Sequence, residues 1–311
     1  MSLTSVEQSA IDSFRRGKSP RQTPGAAEQD RLQFGIWALL KSARIVRDQR
    51  MHVGAVARTE KADGSMVTSI EHQIECLIED HLYTVFPEVS FVGEESGNEL
   101  PEGGTALAID PIDGTWSFLA HAESCSTTLT WYDDGRPTLG MIINHATGEL
   151  AYAFEHQRTR LIQLSLFGEA DQGTDLKPHG STAEKCLVNI HPARSADDLL
   201  AALYAAWRRE ELRNVRALGG SPVWSMLDAA KGHYLYVNNW GGGAASSYDL
   251  AAGILLLRGA GGEVIDLQGD AIDMVGHRGI FIAGLDSTCR NNVLRILQRA
   301  RADQQDPGAL I

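Results

Sequence analysis

The sequence predicts an α/β (α+β) fold that is built in two parts. Before residue 90, apolar residues recur at three- and four-residue steps, as they do along one face of a helix. Between residues 90 and 165 they come in short runs separated by Gly, Pro and Asp, as in strands joined by tight turns. After Cys186, strand-like and helix-like segments alternate, which indicates a sheet packed between helices.

The elements of the first part follow in order along the chain. Apolar residues at helical spacing predict one helix from about Asp30 to Ala43 and a second from Thr68 to Val85. The strand-like runs that follow predict a largely antiparallel sheet, because short turns such as residues 133–135 join them. We expect this sheet to carry the two N-terminal helices.

The chain has 311 residues, enough for one large domain or for two domains that share an interface. We predict an N-terminal sub-domain at residues 29–185, which holds the candidate metal ligands, and a C-terminal α/β sub-domain at residues 186–303. Residues 15–27 combine Arg, Lys, Pro and Gly without apolar periodicity. Residues 1–28 are therefore predicted to be a mobile arm, and residues 304–311 a loose tail.

The charge of the chain restricts its partners. It contains 40 Asp and Glu against 28 Lys and Arg, a formal net charge of -12 at pH 7. Surplus acid repels a phosphate backbone, so nucleic acid is a poor candidate for a partner. A small anion remains a good candidate for a substrate if a bound divalent cation offsets the acid locally.

Cysteine spacing and hydropathy bear on the compartment. The cysteines stand singly, unlike those of a zinc site or a secreted disulfide framework, so free thiols and a reduced, cytoplasmic setting are predicted. They are Cys76, Cys125, Cys186 and Cys289. The N-terminus lacks the apolar stretch of a signal peptide, and the longest strongly apolar run, Ile254–Leu257, is too short to span a bilayer. No membrane partner is expected.

The densest chemical signal is the segment DPIDGT at residues 110–115. Two carboxylates three residues apart on a turn, Asp110 and Asp113, can converge on one point together with the carbonyl of Ile112. Hard divalent cations such as Mg²⁺ prefer such oxygen ligands, and the amides that follow would open a helix suited to a phosphate oxygen. The alternative is that both acids only cap turns.

Three further acidic segments each have a structural and a functional interpretation. Glu94 and Glu95 end an apolar strand, where only one of them can face a shared site. Asp249 lies in the first turn of an apolar helix, where it would also complement the helix dipole. Glu71 follows Thr68 by three residues as in a capping box, but near a metal the same carboxylate could accept a proton from water.

Taken together and in this order, four segments resemble the inositol monophosphatase family of magnesium-dependent, lithium-sensitive phosphatases. They are residues 61–68, 93–96, 110–115 and 249–253, and the resemblance extends over about residues 30–300. The resemblance implies a layered α/β/α/β/α sandwich and Mg²⁺-dependent hydrolysis of a small phosphorylated metabolite. It also implies a homodimer.

The resemblance further implies a set of metal ligands. Glu94, Asp110 and the carbonyl of Ile112 would hold one Mg²⁺. A second ion would be held by Asp110, Asp113 and Asp249. Glu94 would help to place a third ion through water, so that two or three ions are expected.

The same resemblance implies the catalytic and substrate-binding residues. A water activated by metal would attack phosphorus, and Thr115 with Glu71 would orient and deprotonate that water. The resemblance implies a catalytic role for Glu94 as well. The implied substrate-binding residues are Asp113, Gly114, Thr115, Gly220 and Ser221.

The sequence departs from the family pattern in ways that leave the substrate open. Glu71 stands where the family usually has Asp, and glycines at residues 241–243 replace a Glu that binds a substrate hydroxyl in inositol phosphatases. Inositol phosphate, histidinol phosphate and 3′(2′),5′-bisphosphate nucleotides all remain candidates. So does a catalytically weak member that binds protein or RNA. Trp116 and Trp240 either wall the pocket or pack in the core or at the rim.

Overall fold

The computed structural model describes residues 2–23, 25, 27–50, 52, 54, 56–61, 66–164, 171–178, 186–191, 199–238, 247–275, 277 and 279–305. At residues 247–249 and 303–305 only the backbone is described. Within the described residues, no helix is both long enough and apolar enough to cross a membrane.

The first part of the chain forms a seven-stranded sheet with helices on one face. Its elements are α1 (Ser5–Arg15), α2 (Ala27–Arg50), β1 (Arg58–Glu60), β2 (Met66–Thr68), α3 (Ser69–Val85), β3 (Ser90–Gly93), β4 (Thr105–Asp113), α4 (Thr115–Leu119), β5 (Ser126–Asp133), β6 (Arg136–Asn144), β7 (Glu149–Phe154), β8 (Arg160–Gln163) and β9 (Gln172–Asp175). The strands lie in the order of the sequence from β3 to β9. Only β3 and β4 run parallel among these pairs, which confirms the prediction of a largely antiparallel sheet.

The second part forms a five-stranded mixed sheet. Its elements are β10 (Leu187–His191), α5 (Leu199–Arg208), β11 (Asn214–Arg216), α6 (Pro222–Ala230), β12 (Leu235–Asn238), α7 (Ser247–Gly259), β13 (Glu263–Asp266), β14 (Phe281–Gly284) and α8 (Ser287–Gln305). The strand order is β11-β10-β12-β14-β13. β10 pairs in parallel with both of its neighbours, whereas β14 is antiparallel to both of its own. Strands and helices alternate here as predicted.

These elements pack in five layers, and three apolar clusters show which layers are in contact. Helices α2 and α3 bury side chains such as Trp37 and Ile74 against one face of the large sheet. Helices α6 and α7 lie between the sheets, since Leu256 of α7 packs with Ile142 of β6 and Phe281 of β14 in one cluster. Helices α5 and α8 cover the far face of the small sheet. The order is therefore α/β/α/β/α, the predicted fold class, while the division near residue 186 stays a prediction.

The N-terminal segment differs from the predicted mobile arm. Residues 5–15 form the capped helix α1, and its residues Ala10 and Ile11 are buried against the main core. Glu7 is fully buried and accepts hydrogen bonds from Arg160, at 2.9 Å to Oε2, and from the hydroxyl of Tyr152, at 2.9 Å. The sequence pattern missed this packing because its partners lie on β7 and β8, far along the chain.

The cysteines also correct the sequence analysis. Cys186 and Cys289 form a disulfide that joins the residue before β10 to α8, across a sequence separation of 103 residues. Cys76 and Cys125 are free thiols, as predicted. A pair so distant along the chain leaves no spacing signal. The argument from free thiols to a reduced compartment therefore no longer holds.

The ion pair of α1 leads to a prediction about stability. Glu7→Gln leaves the Arg160 guanidinium without its buried counter-charge, and we expect the free energy of unfolding to fall by about 3 kcal/mol. Urea denaturation followed by circular dichroism measures the change. The matched control is Asp12→Asn on the same helix. The ion pair of Asp12 with Arg16 is long, with 4.0 Å between the Asp12 carboxylate and the Arg16 guanidinium. Equal stability of the two variants would show that α1 does not depend on this pair.

The disulfide leads to a second prediction. Thiol titration of the denatured chain is expected to find two free thiols without reductant and four after reduction, because only Cys76 and Cys125 are unpaired. Reduction is expected to lower the free energy of unfolding by about 2–4 kcal/mol, since the closed loop restricts the unfolded chain. Four thiols before reduction would contradict the pairing.

Candidate active site

The two aspartates of the DPIDGT segment lie at the end of β4, where the strand is irregular. Asp110 pairs with Thr128 of β5 and Asp113 pairs with Ser126, so β4 carries one residue more than β5 between these pairs. Pro111 stands in this bulge, where its missing N–H is tolerated. Because side chains alternate along a regular strand, one extra residue returns Asp110 and Asp113 to the same face of the sheet. Both side chains are buried.

Hydrogen bonds hold each of these carboxylates. Asp110 Oδ1 accepts from the amide of Ile112 at 2.9 Å. Asp113 Oδ2 accepts from the hydroxyl of Ser221 and, at 3.1 Å, from the amide of Val223. Since Ser221 caps α6, these bonds join the large sheet to the first helix that follows β11. The predicted substrate loop therefore lies against the DPIDGT segment.

Gly114 is required at the turn that follows. Its φ of 91° lies in the left-handed region, and a Cβ there would be 2.8 Å from the amide nitrogen of Ser221. Gly220 is similarly constrained, because its φ is 89° and a Cβ would be 2.3 Å from Ser124 Oγ. The close approach of these two glycines brings Gly114, Gly220 and Ser221 together, three of the residues expected to bind substrate.

Thr115 begins α4 and connects this turn to Glu71. Its hydroxyl donates to Glu71 Oε1 at 2.9 Å and also lies 3.1 Å from the carbonyl of Ile112. Glu71 Oε2 accepts from the amide of Thr68 in the predicted capping box. Burial raises the pKa of Glu71 to about 8, against the lowering effect of the hydrogen bonds from Thr68 and Thr115. The one carboxylate therefore both caps α3 and contacts the candidate site.

Glu94 follows β3, beside the end of β4. Its amide donates to the carbonyl of Ile109 at 3.2 Å. The ammonium of Lys61 lies 2.9 Å from Glu94 Oε1 and 2.7 Å from Glu95 Oε1. Burial lowers the pKa of Lys61, but the hydrogen bonds and charges of the two glutamates outweigh this effect and leave the pKa raised. Lys61 thus supplies a positive charge at the acidic strand end.

Glu75 is a buried acid that the sequence analysis missed. Its Oε1 accepts from the amide of Glu95 at 2.8 Å, and burial raises the pKa of Glu75 to about 7. A Cβ at Gly93 would be 2.4 Å from the Glu75 carboxyl carbon, so this carboxylate fits only under a glycine. Glu75 lies one helical turn after Glu71, and that spacing was the available signal.

Asp249 is the third residue of α7, and its side chain lies outside the described part of the structure, as do residues 239–246 with Trp240. Within the described residues, no three His, Cys, Asp or Glu side chains are grouped closely enough to hold a metal ion. The donors nevertheless fit a hard divalent cation in kind, because Asp110 and Asp113 supply carboxylate oxygens on one face of one strand end.

Comparison with known proteins agrees with this fold. The model of the inositol monophosphatase family matches residues 28–301. A fructose-1,6-bisphosphatase/inositol-1-monophosphatase of Thermotoga maritima is 27% identical, over 82% of this chain and 92% of that protein. Inositol monophosphatase 2 of Rattus norvegicus is 28% identical, over 79% of this chain and 83% of that protein.

Among solved structures, an IMPase of Thermotoga maritima superposes with a TM-score of 0.71 at 22% identity, covering 88% of this chain and 99% of that one. At this identity the superposition shows the fold alone. The match of the family model covers most of the sequence, including every segment of the site described above. The chain therefore belongs to the inositol monophosphatase family and is a phosphoric monoester hydrolase.

Proposed function

We propose that the protein catalyses the Mg²⁺-dependent hydrolysis of a small-molecule phosphate monoester by water. The observation that carries this proposal is the bulge in β4, which returns Asp110 and Asp113 to one face beside the Thr115–Glu71 hydrogen bond. Oxygen donors and a proton acceptor thus come from neighbouring elements, which is the combination that metal-assisted hydrolysis requires.

The proposed metal ligands are Glu94, Asp110, the carbonyl of Ile112, Asp113 and Asp249, for two or three Mg²⁺ ions. When bound, the metal would supply positive charge to the phosphate and acidity to a nearby water. A solved structure described as an IMPase/NADP phosphatase complexed with Mg²⁺ and phosphate supports this choice of ion, with a TM-score of 0.66 at 21% identity, over 86% of this chain and 94% of that one.

The chain's own residues would orient the water and accept its proton. The Thr115 hydroxyl donates to Glu71, which leaves the hydroxyl oxygen able to accept a hydrogen bond from water. Glu71, with its raised pKa, is suited to hold a proton near neutral pH. The amides of Gly114 and Thr115, with Gly220 and Ser221, would bind the phosphate end of the substrate. Glu94, directly after β3, would also take part in catalysis.

The choice of Glu rather than Asp at residue 71 does not favour a catalytically weak protein- or RNA-binding role. The longer side chain reaches Thr115 at 2.9 Å while its second oxygen still accepts from Thr68.

The substrate is proposed to be a small phosphorylated metabolite. Inositol phosphate, histidinol phosphate and 3′(2′),5′-bisphosphate nucleotides are the three to be compared, with and without Mg²⁺.

The proposal also includes a homodimer and a cytoplasmic location. The first follows from the family resemblance, and the second from the substrates, since phosphorylated metabolites are made and used inside cells. Size-exclusion chromatography with light scattering tests the dimer, and a monomeric mass at micromolar concentration would exclude it.

Asp113→Asn tests the metal assignment. The variant keeps a hydrogen-bond acceptor for Ser221 and Val223 but removes a charge from the proposed ligand set. We expect kcat/KM with Mg²⁺ to fall at least about 100-fold, and the thermal stabilisation by millimolar Mg²⁺ to be lost. The matched control is Asp134→Asn at an exposed turn that tolerates Asn, where φ is 48°. Unchanged turnover in Asp113→Asn would overturn the assignment.

Glu71→Gln tests the proton acceptor. The amide preserves the size of the side chain but cannot take a proton, so we expect kcat to fall about 100- to 10,000-fold. A base acts in its deprotonated form, so the wild-type rate should rise with pH, and this rise should be absent from the variant. Asp80→Asn, on the exposed face of α3, is the control. A variant that kept both its rate and its rise with pH would assign the base elsewhere.

A further inference from the structure

Trp116 is exposed directly beside the candidate active site. Its side chain is 61% exposed, the highest value among the large apolar residues that the structure describes. Trp37 and Trp131, in contrast, are almost wholly buried in the core. An indole that remains in water forgoes a large hydrophobic gain, so its position calls for a physical reason.

The neighbours of Trp116 on α4 determine its direction. Phe118 is fully buried, and it lies about 200° around the helix from Trp116. Thr115 is held by its hydrogen bonds to Glu71 and Ile112. With these contacts in place, α4 cannot rotate to bury the indole. The helix therefore directs Trp116 outward as a consequence of holding Thr115 at the site.

A second exposed apolar side chain lies on the loop between β11 and α6. Leu218 is 57% exposed and precedes the two glycines whose positive φ values lead to Ser221. The loop is tied to the region of α4 through Ser124. The Ser221 amide donates to the Ser124 carbonyl at 3.0 Å, and the Ser124 hydroxyl donates to Ser117 Oγ at 3.2 Å. Trp116 and Leu218 thus each lie three residues along the chain from one partner of the contact between Asp113 and Ser221.

We propose that Trp116 and Leu218 form an apolar wall for the alcohol side of the substrate, which therefore carries a flat aromatic or heterocyclic group. This inference rests on the proposed function, in which the amides of Gly114 and Thr115 bind the phosphate. Trp116 directly follows Thr115 and lies three positions after Asp113, a span of at most about 11 Å. A group attached to that phosphate is therefore within reach of the indole. Stacking on the indole would remove exposed apolar surface from water.

Two matched pairs of substrates test the wall. Adenosine 5′-monophosphate and ribose 5-phosphate differ by the base, and 2-phenylethyl phosphate and ethyl phosphate differ by the ring. We expect the wild-type enzyme with Mg²⁺ to favour the ring-bearing member of at least one pair by about tenfold or more in kcat/KM, mainly through KM. Such a factor corresponds to about 1.4 kcal/mol, within the range for stacking of one ring on an aromatic side chain.

Variants assign this preference to the indole. Trp116→Ala is expected to reduce the ratio of kcat/KM within the pair about tenfold, and Trp116→Phe to restore most of it, because a phenyl ring still offers a flat face. Leu218→Ala is expected to have a smaller effect in the same direction. The control is Trp207→Ala on α5, another exposed tryptophan, at 41%, which should leave the ratio unchanged.

The outcomes separate this inference from the proposed function. The enzyme could hydrolyse inositol 1-phosphate or ribose 5-phosphate and yet show no preference for either ring-bearing substrate, or show a preference that Trp116→Ala leaves intact. Either result would overturn the proposed apolar wall and leave the phosphatase assignment standing. If the folded, Mg²⁺-loaded enzyme hydrolysed none of these phosphate monoesters, the proposed function would itself be wrong and the wall would fail with it.

Discussion

The arrangement of the candidate site depends on a single extra residue in β4. In a regular strand, Asp110 and Asp113 would point to opposite faces, because side chains alternate. The bulge at Pro111 changes this parity, and it occurs where proline has no N–H to lose from the ladder. From there the chain turns through Gly114 in the left-handed region and begins α4 at Thr115. The neighbouring elements are arranged around this turn.

Burying Asp113 imposes the next constraint, which extends into the second half of the chain. A carboxylate removed from water costs free energy unless hydrogen bonds replace its hydration. Those bonds come from Ser221 and Val223 at the start of α6. Ser221 also accepts from the amide of Trp224 as the cap of that helix. One serine therefore serves both a local helix end and a contact between the large sheet and the helix layer behind it.

Glu71 shows the same combination of local and long-range roles. Its capping-box interaction with Thr68 and its hydrogen bond to Thr115 use different oxygens of one carboxylate, so the structural interpretation and the proposed catalytic one are compatible. Glu75, one turn later, supports the end of β3 from beneath Gly93. Lys61 offsets part of the charge of Glu94 and Glu95. Part of the acidic surplus of the sequence is thus concentrated around the C-terminal end of β3.

The sequence by itself determined most of the helices and strands, the cap at Thr68 and the DPIDGT segment, because helical and strand periodicities and turn residues are local properties that neighbouring positions encode. The order of the layers was implied only by the family resemblance. Only the tertiary structure decided the pairing of Cys186 with Cys289, the burial of Glu7 against Arg160 and the support of Glu95 by Glu75. Each of these contacts joins separate elements. Their formation depends on which faces meet after the apolar layers pack. The spacing of Glu71 and Glu75 places both acids on one face of α3, but no spacing along the chain records which elements meet that face.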